Sequence, residues 1–239
     1  ESFSDNFYLN KILGILTHGT ILVPFQQWRC SHRKHHGNTG HIDNDEIFKP
    51  IKKHDKFFDT ISNTMTLQPF TWMSYLILGY PNDYHNHFSY NFNDCNKSEK
   101  NWARLSTLTI ILFLIFLLYI GNKVGFKKVL IYYGIPYFIF SYLIVMVTFL
   151  QHQNEKVNWK SNKGGWNSDY GALQSVNRSY GPLFDYLTRY IGPYHQVHHL
   201  FPKIPFYNLK NAHEYFIKHY PEYENTSNES KIRHNNKSK

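Results

Sequence analysis

Two long uncharged apolar runs constrain this chain more than any other feature. Residues 104–121 read RLSTLTIILFLIFLLYIG, with about 17 apolar or small residues after the arginine. Residues 129–150 read VLIYYGIPYFIFSYLIVMVTFL, about 22 more without a charge. The first run sits at the lower limit for crossing a bilayer core as a helix, and the second is comfortably long enough. Only NKVGFKK separates them. A connector that short forces a helical hairpin, so both outer ends emerge on the same side of the bilayer. Pro136 is expected to kink the second helix, which membrane helices tolerate. The competing reading is a pair of core helices in a soluble protein. Two weaker stretches, 12–28 and 65–79, are interrupted by His18 and Pro24 and by Gln68 and Pro69. They are expected as interfacial or buried helices, not as full spans.

The hairpin returns the chain to its starting side, so residues on its N-terminal flank can meet residues on its C-terminal flank. Before it lie His32, His35 and His36, spaced H-x-x-H-H; after it the same spacing recurs at His195, His198 and His199. On a helix, positions i, i+3 and i+4 share a face, so each motif points its imidazoles one way. His152 stands where the second apolar run ends. Seven imidazoles exceed the needs of one ion. Neutral imidazole suits zinc, copper, iron and nickel. Structural zinc takes four ligands, and the hydrolase pattern H-E-x-x-H is absent. Two irons would use the surplus, but the pattern alone does not choose the metal. Asp45 and Glu46 are candidates to accept the outer ring N–H of a ligand histidine; Asp43 reads equally well as a solvated turn. Arg33 and Lys34 are expected on a solvated basic face. His18 is expected as a satisfied interfacial histidine, and His41, His54, His85, His87, His213, His219 and His234 as surface residues.

Composition settles a few classes. The formal charge is +9, yet no RNP-like, zinc-finger or helix-turn-helix signature accompanies it, so no nucleic-acid partner is expected. Tyr and Phe number 19 each, and aromatic side chains favour membrane interfaces. Cys30 and Cys95 are too few for a disulfide framework or a cysteine zinc site; both are expected as buried thiols in a reducing compartment. The hairpin tip carries Lys123, Lys127 and Lys128. The opposite side carries more Lys and Arg, including Arg29, Arg33, Lys34, Lys49, Lys52, Lys53 and Lys56, which places the histidine clusters on the cytosolic side. Residues 223–239, rich in Asn, Ser and Lys, are expected to form a disordered polar tail.

Five stretches carry a resemblance: SFSDNFYLNKILG, HGTILVPFQQWRCSHRKHHGNTGHIDNDEIF, YYGIPYFIF, FLQHQ and HQVHHLFPKIPFYNL. They span residue 2 to about residue 220. On them the chain closely resembles the membrane fatty acid desaturases, in particular the methyl-end (omega-6/omega-3, Δ12/Δ15) acyl branch. The resemblance implies an all-α, integral membrane helical bundle over residues 1–222, with a cytosolic helical cap carrying a histidine-rich di-iron site. It makes His32, His35 and His36 the second histidine box, His195, His198 and His199 the third, and His152 an additional ligand. The cofactors implied are two iron ions, with O2 as co-substrate. The activity implied is insertion of a cis double bond toward the methyl end of an unsaturated fatty acyl lipid or acyl-CoA. No His-Pro-Gly-Gly segment is present, so electrons are expected from a separate cytochrome b5 in the endoplasmic reticulum, or from ferredoxin in a plastid. A hydroxylase, acetylenase or conjugase on the same scaffold is the first alternative; a non-catalytic desaturase remnant is the second.

Three departures from the family pattern bear on these expectations. The first box, of form H-D/E-x-G-H, would lie just before ESFSDN and is missing, so these 239 residues by themselves are expected to be inactive and the longer gene product to be an enzyme. Gln153 and Asn154 come directly after His152, where the family often has a further histidine. Asn177 and Ser179 stand where relatives commonly have acids, which bears on contacts behind the ligands.

Overall fold

In the computed structural model, residues 4–45, 47, 70–79, 86–89, 92–154 and 157–227 are described. Among them the secondary structure is helical, with no strand and two isolated bridges, His41 to Lys160 and Asn177 to Thr226. The helices are α1 (Phe7–Gly19), α2 (Phe25–Asn38), α3 (Thr71–Leu78), α4 (Lys100–Val124), α5 (Phe126–His152), α6 (Ser168–Leu173), α7 (Pro182–Leu187), α8 (His195–Leu200) and α9 (Leu209–His219). The described residues fall into two compact units: 4–34 with 70–146, and 35–47 with 147–227.

The first unit is built on the apolar hairpin. With the 3-10 turn before it, α4 extends over Lys97–Val124, 28 residues; α5 has 27. At 1.5 Å per residue each is about 40 Å long, more than the roughly 30 Å of a hydrocarbon core. Both helices outrun the sequence expectation, because most of NKVGFKK is itself helical and a single residue makes the turn. That residue is Gly125, with φ at +95°, a conformation glycine adopts without a Cβ penalty. The Phe126 ring then covers Gly121, and Phe113 meets Tyr133 at 5.5 Å, which aligns the two helices antiparallel. Pro136 cannot donate to Tyr132 O, and the preceding Leu130–Gly134 turn is a π-turn. Apolar side chains along both helices point outward: Ile115, Phe116, Leu118, Tyr132 and Ile139 are all more than half exposed. A core helix of a soluble protein buries such side chains.

The stretch 12–28 divides into α1 and α2 around a turn in which Leu22 has φ +55° and Pro24 precedes the first residue of α2. Asn6 starts α1 by accepting from Leu9 N–H at 3.1 Å. The far end of α1 lies close against α4, where Gly19 faces Thr109. Polar groups fasten α2 to α4: Gln26 N–H donates to Ser106 Oγ, and the buried Gln27 amide donates to Ala103 O and Thr107 Oγ1. The core here is Val23, Trp72, Leu76 and Val145. From the stretch 65–79 only its last ten residues are described, and α3 has eight, far short of a span.

Three expectations need correction in this unit. Cys30 and Cys95 are not separate thiols; they form a disulfide across a sequence separation of 65. That removes the argument for a reducing compartment drawn from cysteine number. Arg33 and Lys34 do not form a merely solvated face: Arg33 pairs with Glu99 at 2.9 Å and Lys34 with Asp94 at 3.1 Å. Arg29 reaches the same Glu99 at 2.7 Å, and the Arg33 hydrogen bond leads in holding that carboxyl down at about 2. His87 is buried, not superficial, against Tyr75 and Phe92, with Nε2 3.3 Å from Ser31 Oγ.

The second unit contains the short helices α6–α9 and the chain segment after Lys34. Asn167 caps α6 by accepting from Tyr170 N–H, and Pro182 opens α7 with its ring in place of a side-chain cap. The segment 39–42 is clamped by Trp166, whose indole donates to Thr39 O, and by backbone bonds between Gly40, Ile42 and Lys160. His41 belongs to this clamp and is buried, correcting its surface assignment; its ring faces Trp166 and its Nε2 meets Asn162 Oδ1. His213 is half-buried over Tyr194, and His219 is exposed as expected. His54, His85 and His234 lie outside the described residues. The tail expected from residue 223 is in place as far as Ser227, which is buried; the rest lies outside the described residues.

Candidate metal centre

Three helices deliver imidazoles to one point within the second unit. His35 comes from the last turn of α2, His152 is the final residue of α5, and His195 and His199 stand one turn apart on α8. All four are buried. Their Nε2 atoms form a chain: His35 to His152 at 3.2 Å, His152 to His195 at 3.1 Å, and His195 to His199 at 3.1 Å. Two ligands at right angles on an ion with metal–nitrogen bonds of about 2.1 Å lie about 3.0 Å apart, close to these separations.

Neighbouring groups decide which nitrogens carry protons. Asp45, fully buried, holds one carboxylate oxygen 2.7 Å from His35 Nδ1, while its other oxygen accepts from Gly40 N–H. His35 therefore carries its proton on Nδ1 and presents a lone pair at Nε2. Thr39 donates its hydroxyl to His35 O at 2.8 Å, leaving its oxygen to accept from His199 Nδ1 at 3.1 Å. That gives His199 the same tautomer. Protons alone then fail to satisfy the chain of nitrogens. With none on the two outer Nε2 atoms, the inner pair can supply at most two. Whichever arrangement is chosen, at least one of the three contacts sets lone pair against lone pair or proton against proton. A cation among His35, His152 and His199, whose ligand atoms lie within 4.8 Å of one another, takes up their lone pairs and removes that conflict.

Electrostatics agree with that donor set. Burial above all, and then the surrounding imidazoles, push His195 and His199 well below the ordinary histidine value. Burial, with His35 next, brings His198 down to about 4. These rings are neutral at physiological pH, the form that binds metal. His36 stacks on His199 at 4.1 Å between centroids and meets His198 edge-on at 4.7 Å, so a second pair of imidazoles adjoins the first group. His32 sits on α2 one turn before His36.

Among the expected partners of the ligands, Asp45 stands behind His35, Asp43 is exposed, and Glu46 lies outside the described residues. Two contributors carry no clear signal in the sequence. Thr39 comes one helical turn after His35, a spacing that puts its hydroxyl beside the His35 carbonyl, but nothing linear announces its contact with His199. Gln196 is wholly buried between two ligand positions, where an alternating polar residue on a short helix looks unremarkable.

Comparison with known proteins matches residues 2–230 to the family described as Fatty acid desaturase. An "Omega-3 fatty acid desaturase, chloroplastic" from Ricinus communis is 36% identical over 222 residues, 89% of this chain and 47% of the relative. An "sn-1 acyl-lipid omega-3 desaturase (ferredoxin)" from Nostoc sp. is 34% identical over 90% of this chain and 60% of its own length. An "Acyl-lipid omega-3 desaturase (cytochrome b5), endoplasmic reticulum" from Arabidopsis thaliana is 35% identical over 88% of this chain and 56% of its own length. The chain thus spans roughly half to three-fifths of these curated relatives.

Proposed function

The chain belongs to the fatty acid desaturase family, and from that premise we propose that it carries most of the metal centre and the membrane hairpin of an O2-dependent acyl desaturase acting toward the methyl end of an unsaturated chain. The observation that carries this reading is the chain of four buried Nε2 atoms whose mutual contacts protons cannot all satisfy, three of them, on His35, His152 and His199, close enough together to share a cation.

In this reading His35, His152 and His199, whose ligand atoms lie within 4.8 Å of one another, would hold one iron; His195, His36 and His198 adjoin them as further ligands, and His32 is kept as a ligand on the sequence pattern. Bound iron supplies the one-electron oxidation and O2 chemistry that an unactivated methylene requires, since no side-chain base can remove its hydrogens. The chain's own residues keep the imidazoles neutral, fix their tautomers through Asp45 and Thr39, and exclude water by burial. The length and outward apolar faces of α4 and α5 support reading them as membrane spans, in keeping with a substrate that is itself a lipid chain. The proposed setting is the endoplasmic-reticulum membrane, with the histidines cytosolic and cytochrome b5 as donor; a plastid setting would substitute ferredoxin. Omega-3 regiochemistry is preferred over omega-6, because the three relatives above are named for it.

The test is a fatty-acid profile of yeast expressing the gene product, fed linoleate or left on its own oleate. New trienes from linoleate support omega-3 desaturation, and dienes from oleate move the assignment to omega-6. An unchanged profile, or hydroxylated products alone, overturns the desaturase reading.

A further inference from the structure

The third histidine cluster rides on a helix that cannot hold itself. The six residues of α8 are far below the length at which a helix is stable alone, and Tyr194 at its start makes no side-chain cap. The first N–H groups of any helix lack intrahelical partners. Here the N–H of Gln196, directly after His195, is taken at 2.9 Å by Asn177 Oδ1, 19 residues away in sequence. The Gln196 side chain is wholly buried and fully engaged. Its amide donates to Tyr223 O at 2.7 Å and Leu173 O at 3.2 Å, and its carbonyl accepts from Asn225 N–H at 3.3 Å.

The same short segment reaches a second ligand. Val176 N–H donates to Gln151 O at 2.8 Å, and Gln151 immediately precedes His152. Residues 175–177 therefore touch the backbone beside His152 with one residue and the backbone beside His195 with the next. Behind the segment lies the stretch 223–227. Asn177 N–H donates to Asn225 O, Ser227 N–H donates to Asn177 O, and the Asn225 amide donates to Ser175 O. What composition reads as the start of a disordered tail is a strap across the back of the cluster.

We propose that Asn177 is a positioning residue, and that the segment 175–177, braced by the strap 223–227 and by Gln196, is a spacer that sets the His152–His195 separation and the rotation of α8. The inference rests on the metal-centre reading and deepens it: Asn177 acts through the backbone and side chain of Gln196. Asparagine suits the task because its oxygen caps an N–H while its amide faces the Gln196 carbonyl at 3.5 Å. A protonated aspartic acid keeps both the cap and a donor toward the Gln196 carbonyl, and at this buried position facing an acceptor oxygen the neutral form is the favoured one.

The test uses the full gene product purified in detergent, stripped of metal, and titrated with Co2+, whose visible spectrum reports ligand number and geometry. Asn177→Leu, Asn225→Ala and Asn177→Asp are compared with the unaltered protein and with His195→Ala, and apo-protein melting is followed alongside. The expected result is a Co2+ affinity lower by about 10- to 100-fold and an altered spectrum in Asn177→Leu. Asn225→Ala should show a smaller change of the same kind, and Asn177→Asp should restore both readouts. Unchanged affinity and spectrum in Asn177→Leu and Asn225→Ala would overturn the positioning role while leaving the metal centre standing. Should Asn177→Leu fail to fold, Asn225→Ala decides between the two results. Absence of Co2+ binding by the unaltered protein would overturn the metal-centre reading, and the spacer with it.

Discussion

The α4–α5 hairpin and the imidazole cluster are opposite solutions to the placement of polarity. The hairpin turns its hydrocarbon outward: Leu112, Ile115 and Phe116 are about half exposed, while Ser106 is buried and bonded. The cluster turns its polarity inward: His35, Asp45, His152, His195, Gln196 and His199 are all buried. On the membrane reading proposed above, the hairpin takes its stability from what surrounds it, because its apolar exterior is favourable in lipid. The cluster takes its stability from within, because each buried polar atom must find a partner or a metal. Perturbations should therefore separate the two cleanly.

The largest expected effect concerns the covalent tie on the hairpin side. Cys30→Ser removes a cross-link closing a 65-residue separation and should destabilise the protein by about 2–4 kcal/mol in denaturant unfolding, with the Co2+ spectrum of folded protein unchanged. Next, Ile115→Lys puts a charge midway along α4. It should cost about 2.5–3.5 kcal/mol in a membrane-insertion assay, whereas a helix at a soluble surface would tolerate it. Third, Asp45→Asn frees His35 to take the other tautomer. Metal affinity should fall by about 10- to 100-fold with no change in insertion.

The smallest effect is one of pH. Glu99 is held down at about 2 against an ordinary 4.5, first by Arg33. A group depressed in the folded state contributes stability that is complete above its unfolded value and lost as the pH falls through its folded one. Melting temperature should thus decline between about pH 4.5 and 2. Glu99→Gln should be less stable at neutral pH and flatter across that window.

Legibility in the sequence divides along the same line. The hairpin can be read directly, because apolar runs are local and long; only its turn cannot, since Gly125 alone makes the connection for which NKVGFKK looks to be needed. The face-sharing of His35 with its neighbours on α2 is readable from helical spacing. The same spacing marks α8 at His195, His198 and His199, but α6 and α7 are not readable, because six residues give no periodicity to read. The Cys30–Cys95 pairing, the ion pairs of Arg33 and Lys34 with Glu99 and Asp94, and the burial of His41 and His87 are tertiary facts. Each depends on a partner dozens of residues away, or on a packing surface that no linear pattern marks. Thr39 and Gln196 are hidden for the same reason: each looks like an ordinary polar residue until the fold sets it behind a ligand, whereas Asn177 is marked only by its departure from the family pattern.

The central claim is that the converging imidazoles hold iron. Its most direct test is the metal content of the gene product purified without added chelator, measured by mass spectrometry beside His152→Ala. Two irons per chain in the unaltered protein, with marked loss in the variant, is the predicted result. A protein free of bound metal, or one whose metal content ignores His152, would contradict the account.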